Sequence, residues 1–385
     1  MRFLHTADWH VGKTLRGRSR MDEYASILDE VARIAIDREV DAVLIAGDVF
    51  DSPAPPPEAE RLVYDFLARL LPERIACVLI AGNHDHPRKL AALARLLEGL
   101  RIHVRAEVRP PDQGGVVSLA SRDGNEEARV AVLPFVPERK VFDACAVMGE
   151  QRDWYAAYAQ RIEQILALLT ADLGPRTVNL VLAHALVSGA RVGTGERPLH
   201  LGEVYGLTAQ QLPANVQYIG LGHLHRPQEL MTPSKAAYAG SLIELDFGET
   251  EQEKRVVIVE AAPGHAASLE SVPLTTGRRP LRDVAGTLEE LRALAGSVGG
   301  AYLRVKVRTE GPVPGIAEQV RAILPDALEV EVDYPRATPG PAGARPRGLG
   351  HEELFRDFYR RRNAAEPSEE LLALLRAVHE EASRS

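Results

Sequence analysis

The 385-residue chain has two cysteines, Cys77 and Cys145. That is too few for a disulfide framework or a thiolate metal site, and it fits a reducing compartment. No apolar run approaches the length needed to span a bilayer, so no membrane association is expected. No charged-then-apolar leader precedes the first motif, and the expected location is cytoplasmic. No Gly-x4-Gly-Lys-Ser/Thr loop is present, so the chain carries no such site for ATP of its own. Basic residues are not interleaved with aromatics in the manner of a single-strand stacking surface. There is no excess of positive charge either. The formal net charge of −8 excludes indiscriminate nucleic-acid binding, although a local basic surface remains compatible with it.

What the chain does contain is a set of oxygen and nitrogen donors in five short segments. They are Asp8-Trp9-His10, Gly47-Asp48-Val49-Phe50-Asp51, Gly82-Asn83-His84-Asp85, His184 and Gly222-His223-Leu224-His225. Apolar runs read as strands precede these segments: Arg2–Ala7, Asp41–Ala46, Ile75–Ala81, Val178–Ala183 and Tyr218–Leu221. Ligands at the carboxyl ends of neighbouring strands converge on one crevice. Asp8 and His10, two apart, are expected to share a face, as are His223 and His225.

Mixed carboxylate, imidazole and amide donors suit manganese, iron or zinc better than calcium. Asp48 is the candidate bridge between two cations. Asp8, His10 and His225 would complete one site, and Asn83, His184 and His223 the other. His84 is left over and is suited to assist a leaving oxygen, because imidazole titrates near working pH. Asp51 could orient His84 through its other ring nitrogen, or simply cap a turn. Two bridged metals activate water and clamp a phosphoryl group.

Helical spacing over Asp22–Arg38, a helix opened by Pro55-Pro56-Pro57, a leucine-rich helix over Arg88–Leu97 and a long helix over Asp153–Leu173 alternate with the strands. This is an α/β reading with two sheets. The domain boundaries expected are 1–272, a small α/β module over 273–335, a Pro/Gly linker over 336–350, and a helical segment over 351–385. Thr287-x-x-Glu290 is a capping-box signature in the small module. In the same module Arg304 and Lys306 alternate against Glu329 and Glu331, which reads as a cross-strand salt ladder. Past the linker, apolar stripes of Leu354, Phe355, Phe358 and Tyr359, then of Leu371, Leu372, Leu374, Leu375 and Val378, have no obvious core of their own.

The order D-x-H, GDxxD, GNHD, H, GHxH resembles that of the calcineurin-like metallophosphoesterases. The flanking residues Leu4-His5-Thr6-Ala7 and Val11-Gly12, Asp51-Ser52, Arg226-Pro227-Gln228 and Tyr238-Ala239-Gly240-Ser241 are similar to those of the SbcD family of DNA nuclease subunits. The resemblance implies a two-sheet metallophosphoesterase sandwich (α/β/β/α) with a small capping domain for DNA recognition and C-terminal helices. It also implies two Mn2+ ions on the ligands named above, His84 as the catalytic histidine, a homodimer, and an SbcC-type SMC-like ATPase as partner. The implied activity is exonucleolytic on duplex ends and endonucleolytic on hairpins or single strands, in DNA repair, recombination and replication. A small phosphodiester or a phosphoprotein is the alternative substrate. Against it, Asp51-Ser52-Pro53 and Asn83-His84-Asp85 stand where protein phosphatases have Asp-Arg-Gly and Asn-His-Glu.

Relatives of this kind with a second histidine at the Asp51 position exist, so a two-histidine mechanism does not transfer. The terminal stripes match the element that grips the partner's coiled coil, with Leu354, Phe358, Leu371 and Leu375 as the contact candidates. Folding back on the small module is the competing reading. Lys13, Arg16, Arg18 and Arg20 place four cations in eight residues beside the first ligand pair. With Arg226 they are candidate DNA contacts, Lys13, Arg16 and Arg226 foremost; a solvated loop is the plain alternative.

Overall fold

The computed structural model describes residues 1–137, 154–191, 193, 206–250, 252–335, 350–363 and 365–382. The expected linker, apart from Gly350, and Cys145 lie outside the described residues. Two compact units are present, Met1–Leu281 and Arg282–Ser385.

In the first unit, β1 (Arg2–Thr6), β2 (Ala42–Ile45), β3 (Ala76–Ile80) and β4 (Ile102–Arg105) run parallel in that order. On the other edge β1 pairs antiparallel with β11 (Arg255–Glu260), which pairs with β12 (Ser268–Pro273). The second six-stranded sheet has the order β5 (Val116–Ala120), β6 (Glu127–Leu133), β7 (Val178–His184), β8 (Tyr218–Gly222), β10 (Lys235–Tyr238) and β9 (Gln228–Leu230). Its centre, β6-β7-β8-β10, is parallel.

The inner strands are buried along their whole length, β2, β3, β7 and β8 without exception. Such continuous apolar runs are what strands covered on both faces require. One face of each sheet meets the other across Phe3, Leu44, Val78, Val130, Leu180, Leu182 and Tyr218. The outer face of the first sheet packs on α1 (Met21–Asp37), α2 (Pro57–Leu70) and α3 (Pro87–Leu97), through Ile27, Val31, Phe66 and Leu90 among others. The outer face of the second packs on α4 (Trp154–Thr170), through Ile162, Leu166 and Leu169. The unit is therefore an α/β/β/α sandwich.

The stretch from 273 to 281 stays with the first unit. The Thr275 and Thr276 N–H groups donate to the Glu30 carboxylate, and the Arg279 N–H to Glu23. A Cβ at Gly277, where φ is +68°, would strike the Ser26 side chain.

The second unit has a three-stranded sheet, β13 (Leu281–Gly286), β14 (Tyr302–Arg308) and β15 (Ala327–Asp333), with α5 (Leu288–Leu294) and α6 (Ile316–Ile323). Leu291, Leu303, Val305, Val307 and Val320 form its core. The Thr287 capping box is present, with Glu290 N–H on Thr287 Oγ1 at 3.3 Å and Thr287 N–H on Glu290 Oε2 at 2.7 Å. The salt ladder is wider than expected. β14 does pair in register with β15, Arg304 beside Glu329 and Lys306 beside Glu331. But the Arg304 guanidinium grips Asp283 on β13 with two 2.7 Å bonds, and Lys306 lies 3.4 Å from Asp333. A planar guanidinium takes the partner that offers both oxygens side by side.

The terminal helices are α7 (His351–Asn363) and α8 (Glu369–Ala382). Leu354 and Phe358 are exposed, and Leu371 and Leu375 are half-buried. Leu372 is fully buried, so this stripe is not wholly unpartnered. Arg376 on α8 bonds Glu352 on α7, and Tyr334, just past β15, bonds Asn363. No helix among the described residues is long and apolar enough to cross a membrane.

Candidate dinuclear metal centre

All five donor segments sit at the carboxyl ends of β1, β2, β3, β7 and β8. The route to convergence differs from simple strand alternation. β1 ends at Thr6 and β8 at Gly222, so neither Asp8/His10 nor His223/His225 lies on a strand. Asp8, His10 and Asp48 instead have left-handed backbones, with φ of 50°, 48° and 50°, and His223 has φ of 104°. Such conformations are costly for non-glycine residues and persist where the surroundings enforce them. Here the enforcement is visible. Asp8 N–H and His10 N–H donate to the Gly47 and Asp48 carbonyls, locking the two loops together. His223 N–H donates to both Asp8 carboxylate oxygens, at 2.9 and 3.1 Å. Close approach also demands glycine: a Cβ on Gly82 would collide with the Asp48 carboxylate.

Asp48 is central. Its Oδ1 accepts the His84 N–H at 2.8 Å. Its Oδ2 lies 3.5 Å from His10 Nε2 and 3.6 Å from His184 Nε2. Donor atoms of His10, Asp48 and His84 lie within 4.8 Å of one another, as do those of Asp8, Asp48 and His184. Asp48 alone belongs to both groups. Asn83 Oδ1 lies 2.9 Å from His184 Nε2 and 3.0 Å from His223 Nδ1. The His225 ring centroid is 4.9 Å from that of His10, and its Nδ1 donates to Glu249 Oε1 at 2.9 Å. The seven expected ligand positions therefore occupy one crevice.

The electrostatics match a cation site. Burial alone would push the Asp48 carboxyl up. The imidazoles of His184, His10 and His84 and the His84 N–H more than offset it, and hold the group at about 2. Burial lowers His10 to about 4 and His223 to about 3, and lowers His184 against the pull of Asp48. These three rings are kept neutral, the form that ligates. Both ring nitrogens of His10 are buried without a hydrogen-bond partner. Buried polar atoms are normally satisfied, so donors left in this state beside two carboxylates fit a divalent metal. His184 Nδ1 is held by the Ala46 carbonyl at 2.8 Å, the kind of outer contact that orients a ligating imidazole.

Asp51 corrects an expectation. Its carboxylate does not hold His84. It faces Lys13 Nζ at 3.0 Å and His10 Nδ1 at 3.5 Å. Burial raises its carboxyl, but His10 and Lys13 bring it far below the usual range. What holds His84 is the Asp51 main-chain carbonyl, 2.8 Å from Nδ1. The basic loop is corrected in part. Arg20 is buried and belongs to the framework, bonded to both Glu23 oxygens and to the Glu244 carbonyl. Lys13 pairs with Asp51 and Arg16 with Asp246 at 3.3 Å. Arg226 is half-buried beside the His223–His225 turn.

Two functional groups escaped the sequence reading. Asp85 accepts from the N–H groups of Gly82, Phe50 and Val49 at 2.9, 3.1 and 3.3 Å, which pins the Asp48 loop to the Asn83 loop. Burial, and then Asp48, raise it to about 7. Glu249 and Lys254, both fully buried, stand behind His225. No local sequence signal marks either feature; at most, the acid of the GNHD segment could have prompted a search for main-chain partners.

Two mixed sheets with this donor set at their carboxyl ends define a metal-dependent phosphoesterase. The calcineurin-like phosphoesterase family model matches residues 1–227. A second, described as the Type 5 capsule protein repressor C-terminal domain, matches residues 277–363. The chain is 31% identical to the SbcD component of the nuclease SbcCD from Bacillus subtilis (strain 168) over 382 residues, covering 97% of this chain and 96% of that protein. It is 32% identical to the SbcD protein from Rhodobacter capsulatus, covering 92% of each. With the Escherichia coli (strain K12) SbcD protein it shares 29% identity, over 86% of this chain and 84% of that one. The chain belongs to the calcineurin-like phosphoesterases, in their SbcD branch.

Proposed function

We propose that the chain is the two-metal DNA nuclease subunit of an SbcCD-type complex. The observation that carries this reading is Asp48, the one carboxylate common to two donor groups, in a chain matching nuclease subunits over nearly its whole length. Asp48, Asp8, His10 and His225 would hold one Mn2+, and Asp48, Asn83, His184 and His223 the other. When bound, the metal pair supplies Lewis acidity to water and to the scissile phosphodiester. The amide of Asn83 limits negative charge where an anionic substrate must enter.

His84 is left outside the ligand set. Its Nδ1–H is anchored on the Asp51 carbonyl. Imidazolium donates from both nitrogens, so an anchored Nδ1–H leaves Nε2–H for the departing 3′ oxygen. The Asp48 contact to the His84 N–H couples the position of this donor to the bridge. Lys13, Arg16 and Arg226 take the phosphate backbone, Lys13 and Arg16 by exchanging their present acidic partners. Residues 1–272, with 273–281 packed on them, form the nuclease domain, and 282–335 the capping domain. Leu354, Phe358, Leu371 and Leu375 dock the SMC-like ATPase, which supplies the ATP hydrolysis. The nuclease acts as a homodimer, in the cytoplasm, as an exonuclease on duplex ends and an endonuclease on hairpins or single strands.

The test is a labelled hairpin duplex incubated with Mn2+, with and without the ATPase and ATP. Expected are cleavage at the hairpin and shortening from the end, both stimulated by ATP. Cleavage of small phosphodiesters but never of DNA, even with the partner present, would refute the proposal.

A further inference from the structure

The one ion pair with both partners wholly buried among the described residues is Lys254–Glu249, at 2.7 Å. A buried pair of this kind contributes little to net stability, since desolvation of both charges offsets their attraction. Its contacts point elsewhere. Glu249 Oε1 accepts from His225 Nδ1 at 2.9 Å. Glu249 Oε2 accepts from Lys254 Nζ, from Leu245 N–H at 3.1 Å and from Ser241 Oγ at 3.3 Å. Both carboxylate oxygens are thus engaged, which leaves Glu249 unsuited to be a ligand itself. Lys254 Nζ also lies 3.1 Å from the His225 carbonyl, 2.8 Å from Ser241 Oγ and 2.8 Å from Gln252 Oε1, its three N–H groups shared among these acceptors and Glu249. The same carbonyl accepts the Ser241 N–H at 3.1 Å. Ring and main chain of His225 are therefore gripped from behind by one cluster.

We infer that Glu249 and Lys254 are positioning residues for His225, fixing its tautomer and ring direction so that Nε2 is presented to one metal of the pair. The inference rests on the reading of His225 as a ligand. Glu249 holds the proton on Nδ1, as a carboxylate behind a ligating histidine does. Lys254 cancels the charge of Glu249, so the cluster adds no net charge to the donor set. It also ties the carboxylate to the main chain of the residue it orients. The segments that bring these groups together, the turn Phe247–Glu249 and the start of β11, have no other place in the proposed mechanism.

The experiment is a Mn2+ titration of the full-length chain, with free Mn2+ read by electron paramagnetic resonance and the metal-free Tm read by circular dichroism. Glu249→Met/Lys254→Met removes both charges together and leaves no orphaned ion. It should weaken one of the two ions by about 10–100-fold and leave the other at wild-type affinity. Glu249→Gln/Lys254→Met restores a neutral acceptor for Nδ1–H and should recover most of that loss. If the Met pair does not fold, the Gln pair is read alone, and its one weakened ion must lie between wild type and His225→Ala. Wild-type affinity at both sites in the folded Met pair, or equal weakening of both ions in either double variant, overturns the inference while leaving the ligand assignment standing. Retention of both ions by His225→Ala overturns the ligand assignment, and the inference with it.

Discussion

Asp85→Asn tests whether the two central loops are held together as described. The carboxylate accepts three main-chain N–H groups, from Gly82 and Val49 on Oδ2 and from Phe50 on Oδ1. Asparagine can keep its oxygen on Gly82 and Val49, and then turns its NH2 toward one buried donor, the Phe50 N–H. Leaving a buried donor unsatisfied costs about 1–3 kcal/mol. Relief of the repulsion with Asp48 places the expectation at the lower end, about 1–2 kcal/mol. For a domain of this size that lowers Tm by roughly 2–8 °C. The assay pairs denaturant unfolding of the metal-free protein with Mn2+-dependent phosphodiester hydrolysis. Activity should fall more steeply than stability, because the displaced loops carry Asp48 and Asn83. An Asp85→Asn protein that unfolds within about 0.5 kcal/mol of wild type, the range of an ordinary surface change, would show that this carboxylate does not hold the two loops together.

His84→Ala should lower the hydrolysis rate by about 10²–10⁴-fold, the usual contribution of a general acid, while a Mn2+ titration shows both ions still bound. Asp51→Ala, in contrast, keeps the carbonyl that anchors His84 and loses a partly exposed pair with Lys13, worth about 0.2–1 kcal/mol, together with the 3.5 Å contact to His10 Nδ1. Its rate should stay within about tenfold of wild type. Lys13→Ala and Arg16→Ala should each weaken DNA binding and reduce the slope of log K against log salt by about 1; filter binding across a salt series measures both. Cys77 is fully buried, and burial raises its thiol pKa, so it should resist alkylation until the protein is unfolded, as mass spectrometry would show.

The site was legible because its donors are local to apolar strands. Ile45 leads to Asp48 and Ile80 to Asn83 within three residues, and His184 closes β7 itself. A short run ending in a donor is visible without any structure. What was not legible depends on main-chain geometry or on distance along the chain. The left-handed backbones of Asp8, His10 and Asp48 have no signature in their side chains. The part of Asp51 that holds His84 is a carbonyl, identical in every residue. Glu249 and Lys254 reach His225 from 24 and 29 positions away, across a turn that looks like any polar loop. Strands were missed for a similar reason. β4 alternates over only four residues, and β12 is a largely exposed edge strand ending at a proline, recognisable only from its pairing with β11.

The most direct measurement is cleavage of an end-labelled linear duplex by the protein with an SbcC-type ATPase added, in Mn2+, in EDTA, and in Mn2+ with Asp48→Asn. Degradation is expected in the first case and none in the other two. Degradation by Asp48→Asn at the wild-type rate, or degradation that persists in EDTA, would contradict a metal-dependent nuclease bridged by Asp48.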